Sequence, residues 1–272
     1  MEVRQTALVT GATSGIGAAF ARRLAAAGWD LILVARDEQR LGAVADGLGE
    51  AHGVSVTTLP ADLSTAEGCR AVEQRLGDST GPVDMLINNA GFSVKGSFLR
   101  TDLEDEERLL DVNVRAVMRL THAALPAMVE RGRGDIVNVA SVSGFGAVMA
   151  GSTYPASKAW VINFSESLAL GVRRHGVRVL ALCPGYTRTE FHERAGIDMS
   201  ATPDWMWLTA DEVAAGALRD LRRGRLVSVP GLRYKALVFG MRHAPAALVR
   251  RLSPDTRGDS DTRGDSASRG RR

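Results

Sequence analysis

The chain of 272 residues has only two cysteines, Cys69 and Cys183, far apart in the sequence. They make neither a CxxC pair nor a metal-ligand spacing, so both read as reduced thiols of an intracellular protein. His122, His175, His192 and His243 likewise lack paired ligand spacing, and no metal site is expected. There is no GxSxG elbow of the kind that carries a hydrolase serine. No uninterrupted apolar run is long enough to span a bilayer. The N-terminus, MEVRQTALVT, places a charge and a glutamine where a signal peptide needs unbroken apolar residues. A soluble, cytoplasmic protein is the expectation.

Charge is unevenly placed. From Arg219 onward there are fourteen Lys/Arg against five Asp/Glu, a net of +9, whereas the whole chain is +3 and the part before Arg219 is therefore about −6. A basic end attracts an acidic partner such as a nucleotide, an acyl carrier or a lipid surface, or it merely keeps the end solvated; solvation is the favoured reading, and no specific nucleic-acid binding is expected. From Pro254 the chain reads PDTRGDSDTRGDSASRGRR, a TRGDS duplication with no large apolar residue. Such a segment cannot offset its ordering entropy by burial, so 254–272 is expected to be a disordered tail.

Short β-rich runs alternate with longer helical patterns over most of the rest. TALVT (6–10), LILVA (31–35), VSVTTL (54–59), VDMLIN (83–88), DIVNVA (135–140), VRVLAL (177–182) and RLVSV (225–229) read as strands. Gly15 to Ala27, stopped by Gly28, reads as a helix, as do Asp37 to Ala51, Ser64 to Leu76, Thr101 to Glu130, Thr153 to His175 and Thr209 to Leu221. Ser64 and Glu67 have the spacing of a capping box. The alternation predicts an α/β fold, a doubly wound parallel sheet in three α/β/α layers, and continuous apolar strands such as LILVA suit a sheet buried on both faces.

The first strand runs into Thr10-Gly11-Ala12-Thr13-Ser14-Gly15-Ile16-Gly17 and then a helix. Glycines at 11, 15 and 17 allow a sharp turn and close backbone approach to a ligand, and free N–H groups at the following helix start suit a pyrophosphate. The spacing is GxxxGxG rather than GxGxxG, but its strand–turn–helix context is the one a dinucleotide site requires. Ala35-Arg36-Asp37 follows the second strand. An acidic side chain there would hold the ribose 2′-OH of NAD, whereas Arg36 suits the 2′-phosphate of NADP by charge and by its donor fork. NADP(H) is preferred; NAD(H) is the alternative if Asp37 faces the ribose.

Tyr154-Pro-Ala-Ser-Lys158 is the most informative run. Residues four apart share a helix face, and Pro155 belongs in a first turn, so Tyr154 should sit at a helix start with Lys158 one turn on. An ammonium beside the phenol lowers its pKa toward the range of a general acid/base. Ser141 follows the strand DIVNVA, Asn88-Asn89-Ala90-Gly91 ends another, and Asn113 lies in the helical stretch after it. With TGxxxGIG, NNAG, Asn, Ser, YxxxK and PG all present in order, the chain resembles a compact, single-domain short-chain dehydrogenase/reductase over roughly Val3 to Val229.

The resemblance implies a Rossmann-type fold and an NAD(P)-dependent oxidoreductase acting between CH–OH and C=O. It implies that Tyr154 exchanges the proton with the substrate oxygen, that Ser141 hydrogen-bonds that oxygen, and that Lys158 lowers the tyrosine pKa and holds the nicotinamide ribose. Asn113 would support a water linking Lys158 to solvent. Gly11, Thr13, Ser14, Gly15, Ile16 and Gly17 would take the phosphates, Arg36 the ribose, Asp62 and Leu63 the adenine. Asn89, Ala90 and Gly91 would line the cofactor, and Pro184, Gly185, Thr187 and Thr189 would hold the nicotinamide end. Ser143 is a neighbour of Ser141, but the family pattern selects Ser141. A homodimer or homotetramer pairing through the helices near 102–130 and 155–175 is also implied.

The organisation expected is therefore a catalytic unit over 1–232 with a substrate lid near 186–208, a basic amphipathic extension over 233–253, and the tail. The lid contains Phe191, Ile197, Met199, Trp205, Met206 and Trp207, and Phe145, Val148 and Met149 could form the opposite wall. These suit an apolar ketone, aldehyde or acyl-chain carbonyl, or else pack on the fold itself. The extension, with Pro245 to break or kink it, is expected to cover the protein's own apolar surface, ahead of a membrane surface or a subunit contact. Two rival functions stand beside carbonyl reduction: NAD-linked alcohol oxidation, and a nucleotide-sensing protein without turnover, in which loss of Tyr154 or Lys158 would be expected.

Overall fold

Val9 in β1 (Thr6–Thr10) lies beside Leu33 in β2 (Asp30–Ala35), and the same parallel pairing continues outward to β3 (Val56–Pro60). On its other side β1 pairs with β4 (Met85–Asn88), followed by β5 (Gly134–Val139) and β6 (Val177–Leu182). A separate two-stranded pair joins β7 (Thr187–Arg188) to β8 (Leu208–Thr209), and β9 (Val227–Ser228) closes the main sheet against β6. The computed structural model describes residues 4–243 apart from 97, 147–151, 197–198 and 201. Its main sheet has seven parallel strands in the order β3-β2-β1-β4-β5-β6-β9. The order reverses between β1 and β4, and ligands of open α/β sheets bind at that switch, beyond the strands' carboxyl ends.

Helices follow the strands: α1 (Gly15–Ala26), α2 (Glu38–His52), α3 (Ala66–Leu76), α4 (Leu103–Leu110), α5 (Val117–Glu130), α6 (Thr153–Val172), a short α7 (Phe191–Arg194), α8 (Ala210–Arg222) and α9 (Leu232–His243). Side chains alternate across the sheet. Ala7, Val9, Leu31 and Leu33 join Phe20 and Leu24 of α1 and Val213 and Ala217 of α8 in one core. Leu8, Ile32, Val34 and Leu86 join Val72 of α3 and Leu120 and Met128 of α5 in the other. Burial of one such side chain stabilises by about 1.5–3 kcal/mol, and burial on both faces explains the continuous apolar runs at the centres of β1 and β2. Among the described residues no helix is long and apolar enough to cross a membrane.

Several local expectations change. The capping box at Ser64 and Glu67 does not form: Ser64 bonds the Asp62 carboxylate, and Thr65 caps α3 by accepting from the Gly68 N–H. A real capping box joins Thr209 and Glu212 at α8. The stretch Thr101–Glu130 is not one α-helix; a π-turn over Asp111–Ala116 separates α4 from α5. The strand expected at 54–59 shifts to Val56–Pro60, those expected at 83–88 and 225–229 are trimmed to β4 and β9, and the helix to His175 ends at Val172, followed by a 3₁₀ turn. Val148, Met149, Ile197, Pro245 and the tail 254–272 lie outside the described residues.

Candidate active site

The glycine loop needs its glycines for two reasons. Gly11 and Gly15 have φ of +64° and +54°, backbone that side chains disfavour. A Cβ on Gly17 would stand 2.3 Å from the Gly11 carbonyl oxygen and 2.5 Å from Asn89 Nδ2. Ser14 is the N-cap of α1 but its side chain makes no cap bond, so the first N–H groups of the helix face the loop, beside Thr13 and Ile16. Asn89 braces the loop: its Nδ2 donates to the carbonyls of Thr10 (2.9 Å) and Gly11 (3.2 Å). Thr10 Oγ1 accepts from the N–H groups of Asn89 and Ala90, both at 2.9 Å. The amide of Asn89 is thus committed to the loop, and the strip from Ala90 to Gly91 is what remains toward a ligand.

At the adenosine end, Asp37 is the N-cap of α2, its Oδ1 accepting from the Arg40 N–H at 2.9 Å. Arg36 is exposed. Burial opposes the charge of Asp62, but bonds from the Ser64 N–H and hydroxyl, with Arg36 and Arg108 nearby, outweigh it and hold this carboxyl below its usual range. The Leu63 side chain is buried in the core, so only its backbone is available to an adenine.

The residues expected to carry chemistry come from three elements: the π-turn, the 3₁₀ turn after β5 and α6. Ser141 caps a 3₁₀ turn over Val142–Phe145, its Oγ accepting from the Ser143 N–H (3.2 Å) and hydroxyl (3.0 Å). Tyr154 and Pro155 lie in the first turn of α6, capped by Ser152. The Tyr154 ring meets Phe191 of α7 at 5.8 Å between centroids. Lys158 Nζ lies 5.6 Å from the centroid of the Tyr154 ring and donates to the Val139 carbonyl at 3.0 Å. Lys158 is only 4 % exposed, and burial lowers its pKa from the ordinary 10.5 to about 8, with Cys183 opposing. Burial likewise pushes the Cys183 thiol up, so it is no nucleophile.

Asn113 sits fully buried in the π-turn, a helical irregularity frequent at functional sites. Its Oδ1 accepts from the Phe92 N–H at 3.1 Å and its Nδ2 donates to the Phe92 carbonyl at 2.9 Å and to Ser157 Oγ at 3.4 Å. A Cβ on Gly91 would lie 2.9 Å from Asn113 Oδ1 and 3.4 Å from Lys158 Nζ, so glycine is what lets this cluster close.

The turn after β6 completes the site. The Pro184 carbonyl accepts from the Val142 N–H at 3.0 Å, tying the turn to the Ser141 loop. Thr187 Oγ1 donates to the Gly185 carbonyl at 2.9 Å. Thr189 lies over the glycine loop, its methyl 2.9 Å from where a Gly15 Cβ would be. Of the expected lid residues, Phe191 faces Tyr154, Trp207 packs on Tyr186 at 6.0 Å and under Arg188, and Trp205 is exposed. Phe145 carries the Arg242 guanidinium over its ring.

Tyr234 was not among the expected site residues. Its ring covers Gly185, where a Cβ would stand 2.0 Å from it. Its hydroxyl donates to the Met206 carbonyl (2.6 Å) and accepts from the Tyr186 N–H (3.0 Å), joining the two ends of the segment between them. A buried chain, Asn88 to Asn138 to Ser165, also ties β4, β5 and α6 together beneath the site. Neither follows a local sequence pattern.

This arrangement offers a proton-bearing hydroxyl, a buried ammonium beneath it, an orienting hydroxyl and a glycine-lined crevice: the parts of proton-coupled hydride transfer. Comparison with known proteins points the same way. A family model described as short chain dehydrogenase matches residues 5–199. The chain is similar to sulfoacetaldehyde reductase 2 of Chromohalobacter salexigens, 38 % identical over 76 % of this chain and 84 % of that one. It is similar to a short-chain dehydrogenase from Sphingobium yanoikuyae solved in complex with NADPH, at 42 % identity and a TM-score of 0.80, covering 86 % and 92 % of the two chains. A bulky-bulky ketone specific alcohol dehydrogenase from Comamonas testosteroni aligns at 33 % identity and a TM-score of 0.76, covering 92 % and 99 %.

Proposed function

This chain belongs to the short-chain dehydrogenase/reductase family, and on that premise we propose that it is an NADP(H)-dependent reductase of apolar ketones, aldehydes or 3-oxoacyl-type carbonyls. The observation that carries the cofactor choice is the use of Asp37 as the α2 N-cap. One of its carboxylate oxygens is held by the helix start, and the exposed Arg36 beside it offers the cation that a 2′-phosphate requires. The crevice fits a dinucleotide: a Cβ at Gly15 or Gly91 would strike Thr189 or Asn113, so the loops on either side stand as close as glycine permits.

When bound, the dinucleotide supplies the hydride. Tyr154 gives its hydroxyl proton to the substrate oxygen, and Ser141 holds that oxygen in place by a hydrogen bond. Lys158, charged below about pH 8, favours loss of the phenolic proton. Its position beside Gly91 also suits it to hold the nicotinamide ribose hydroxyls. Because both ends of the Asn113 amide are bonded to Phe92, its support of a proton-relay water acts through the placement of the π-turn rather than through its own side chain. Thr187 and Thr189, with Pro184 and Gly185, close over the nicotinamide end. Phe191 and Phe145 give the substrate side its apolar character, and the segment 186–208 acts as its lid.

Titration with NADPH and NADH tests the cofactor reading. Wild-type protein should prefer NADPH. Arg36→Ala should weaken NADPH by about tenfold or more, the loss of a hydrogen bond to a charged group, with little change in NADH. Equal losses for both would overturn the assignment to Arg36.

The α4–α5 and α6 faces expose Leu103, Leu110, Met118 and Leu170, an apolar set that suits pairing with a second copy. A homodimer or homotetramer is proposed. Sedimentation at micromolar concentration should show it, and a monomer alone would refute it.

A further inference from the structure

Arg40 stands at the third position of α2, past the N-cap Asp37, and shares the start of that helix with Arg36. It is not directed to its own neighbours. Its guanidinium forms a two-pronged pair with Glu190, Nη1 donating to Oε2 at 3.1 Å and Nη2 to Oε1. Glu190 also takes Arg194, one turn along α7. The contact is long in reach. Arg40 follows β2 and Glu190 follows β6, and β1, β4 and β5 lie between these strands. Four strand spacings amount to about 19 Å. The chain after β6 therefore runs back over the crevice, with Thr189 on Gly15 and Glu190 on α2.

Stability does not account for the pair. Both side chains are 39 % exposed, and exposed pairs contribute about 0.2–1 kcal/mol at most. Its electrostatic setting is more telling. Arg36 and Arg40 stand together at the start of α2, while the single negative charge of Glu190 is shared between Arg40 and Arg194 and Asp37 Oδ1 caps the helix. A carboxylate bonded by two prongs to a guanidinium has the charge and shape of a phosphate edge.

We propose that Glu190 is an internal competitor of the cofactor's 2′-phosphate for Arg40, setting how strongly the protein distinguishes NADP(H) from NAD(H). This rests on the NADP(H) reading above. Arg36 provides the standing attraction for the phosphate. Arg40 is a second cation whose use requires exchange of one anionic partner for another, and NADH, lacking the phosphate, leaves the Arg40–Glu190 pair closed.

The experiment is fluorescence titration of wild type, Glu190→Gln, Arg40→Gln and the double variant with NADPH and with NADH. Glu190→Gln removes the competing charge and should tighten NADPH roughly fivefold, the upper end for an exposed ion pair, while NADH stays unchanged. In the Arg40→Gln background the same change at Glu190 should have no effect on NADPH, because the competed-for cation is gone. Equal shifts for both dinucleotides, weaker NADPH binding in Glu190→Gln, or a gain that persists without Arg40 would each overturn the competition while leaving the proposed function standing. Wild-type protein that binds neither dinucleotide would overturn both.

Discussion

Tyr154→Phe should lose at least about a hundredfold in kcat for carbonyl reduction, the lower end for removal of a general acid, and keep its affinity for the dinucleotide. The substitution takes away one hydroxyl and little else. The ring keeps its contact with Phe191 at 5.8 Å, and the Ser152 cap bond is made to the backbone N–H of residue 154, which phenylalanine retains. Lys158 keeps its bond to the Val139 carbonyl. Folding and cofactor binding are therefore expected to be unchanged, so that the loss falls on the chemical step. Serine cannot substitute: Ser141 Oγ accepts from both the backbone and the hydroxyl of Ser143 and is placed to orient an oxygen, not to replace its proton source. Steady-state kinetics on any carbonyl that wild type reduces, with a parallel NADPH titration, gives the result. Turnover at the wild-type rate would remove Tyr154 from the mechanism.

Much of the candidate site is legible in the sequence because its backbone requirements are local. Positive φ at Gly11 and Gly15 demands glycine, and a Tyr-Pro start with a lysine four residues on places both groups on one face. What escaped was of two kinds. Competition between adjacent hydrogen-bonding residues misled the reading of α3. Ser64 and Glu67 have the right spacing, yet Asp62 claims Ser64, and a Cβ on Gly68 would stand 2.1 Å from the Asp62 carbonyl, so close packing there sets the helix start one residue later. Asp37 carries the same ambiguity, a candidate ribose ligand by its place after β2 and the N-cap of α2 in the fold. The second kind is distance along the chain. Tyr234 meets residues 28 and 48 positions away, and Arg40 meets one 150 positions away. No periodicity carries such a contact, so the fastening of Tyr186 and Met206 to α9, and of Glu190 to α2, appears only in the folded chain.

Lys158→Met should abolish turnover and yet make the empty protein more stable. The folded protein holds the lysine proton more weakly, at about 8, than the unfolded chain does at the ordinary 10.5. Below about pH 8 the ammonium is charged in both states and the full cost of burying it falls on the folded one; between about 8 and 10.5 the folded state binds fewer protons, so stability rises with pH until the cost is gone. A gap of that width corresponds to about 3 kcal/mol. Methionine matches the length of the stem and carries no charge, but it leaves the Val139 carbonyl without its partner at 3.0 Å, which returns about 1 kcal/mol. A net gain of about 2 kcal/mol is expected at pH 7, or about 4–8 °C in Tm for a chain of this size. Thermal melts of wild type and variant at pH 7 and pH 10 measure it: the variant should melt higher at pH 7, and the difference should shrink toward pH 10 as wild type loses its buried charge. A variant that melts at or below wild type at pH 7 would show that the ammonium is not held at a cost. A gain in stability together with lost turnover would mean that the fold carries a destabilising charge because the tyrosine beside it requires one.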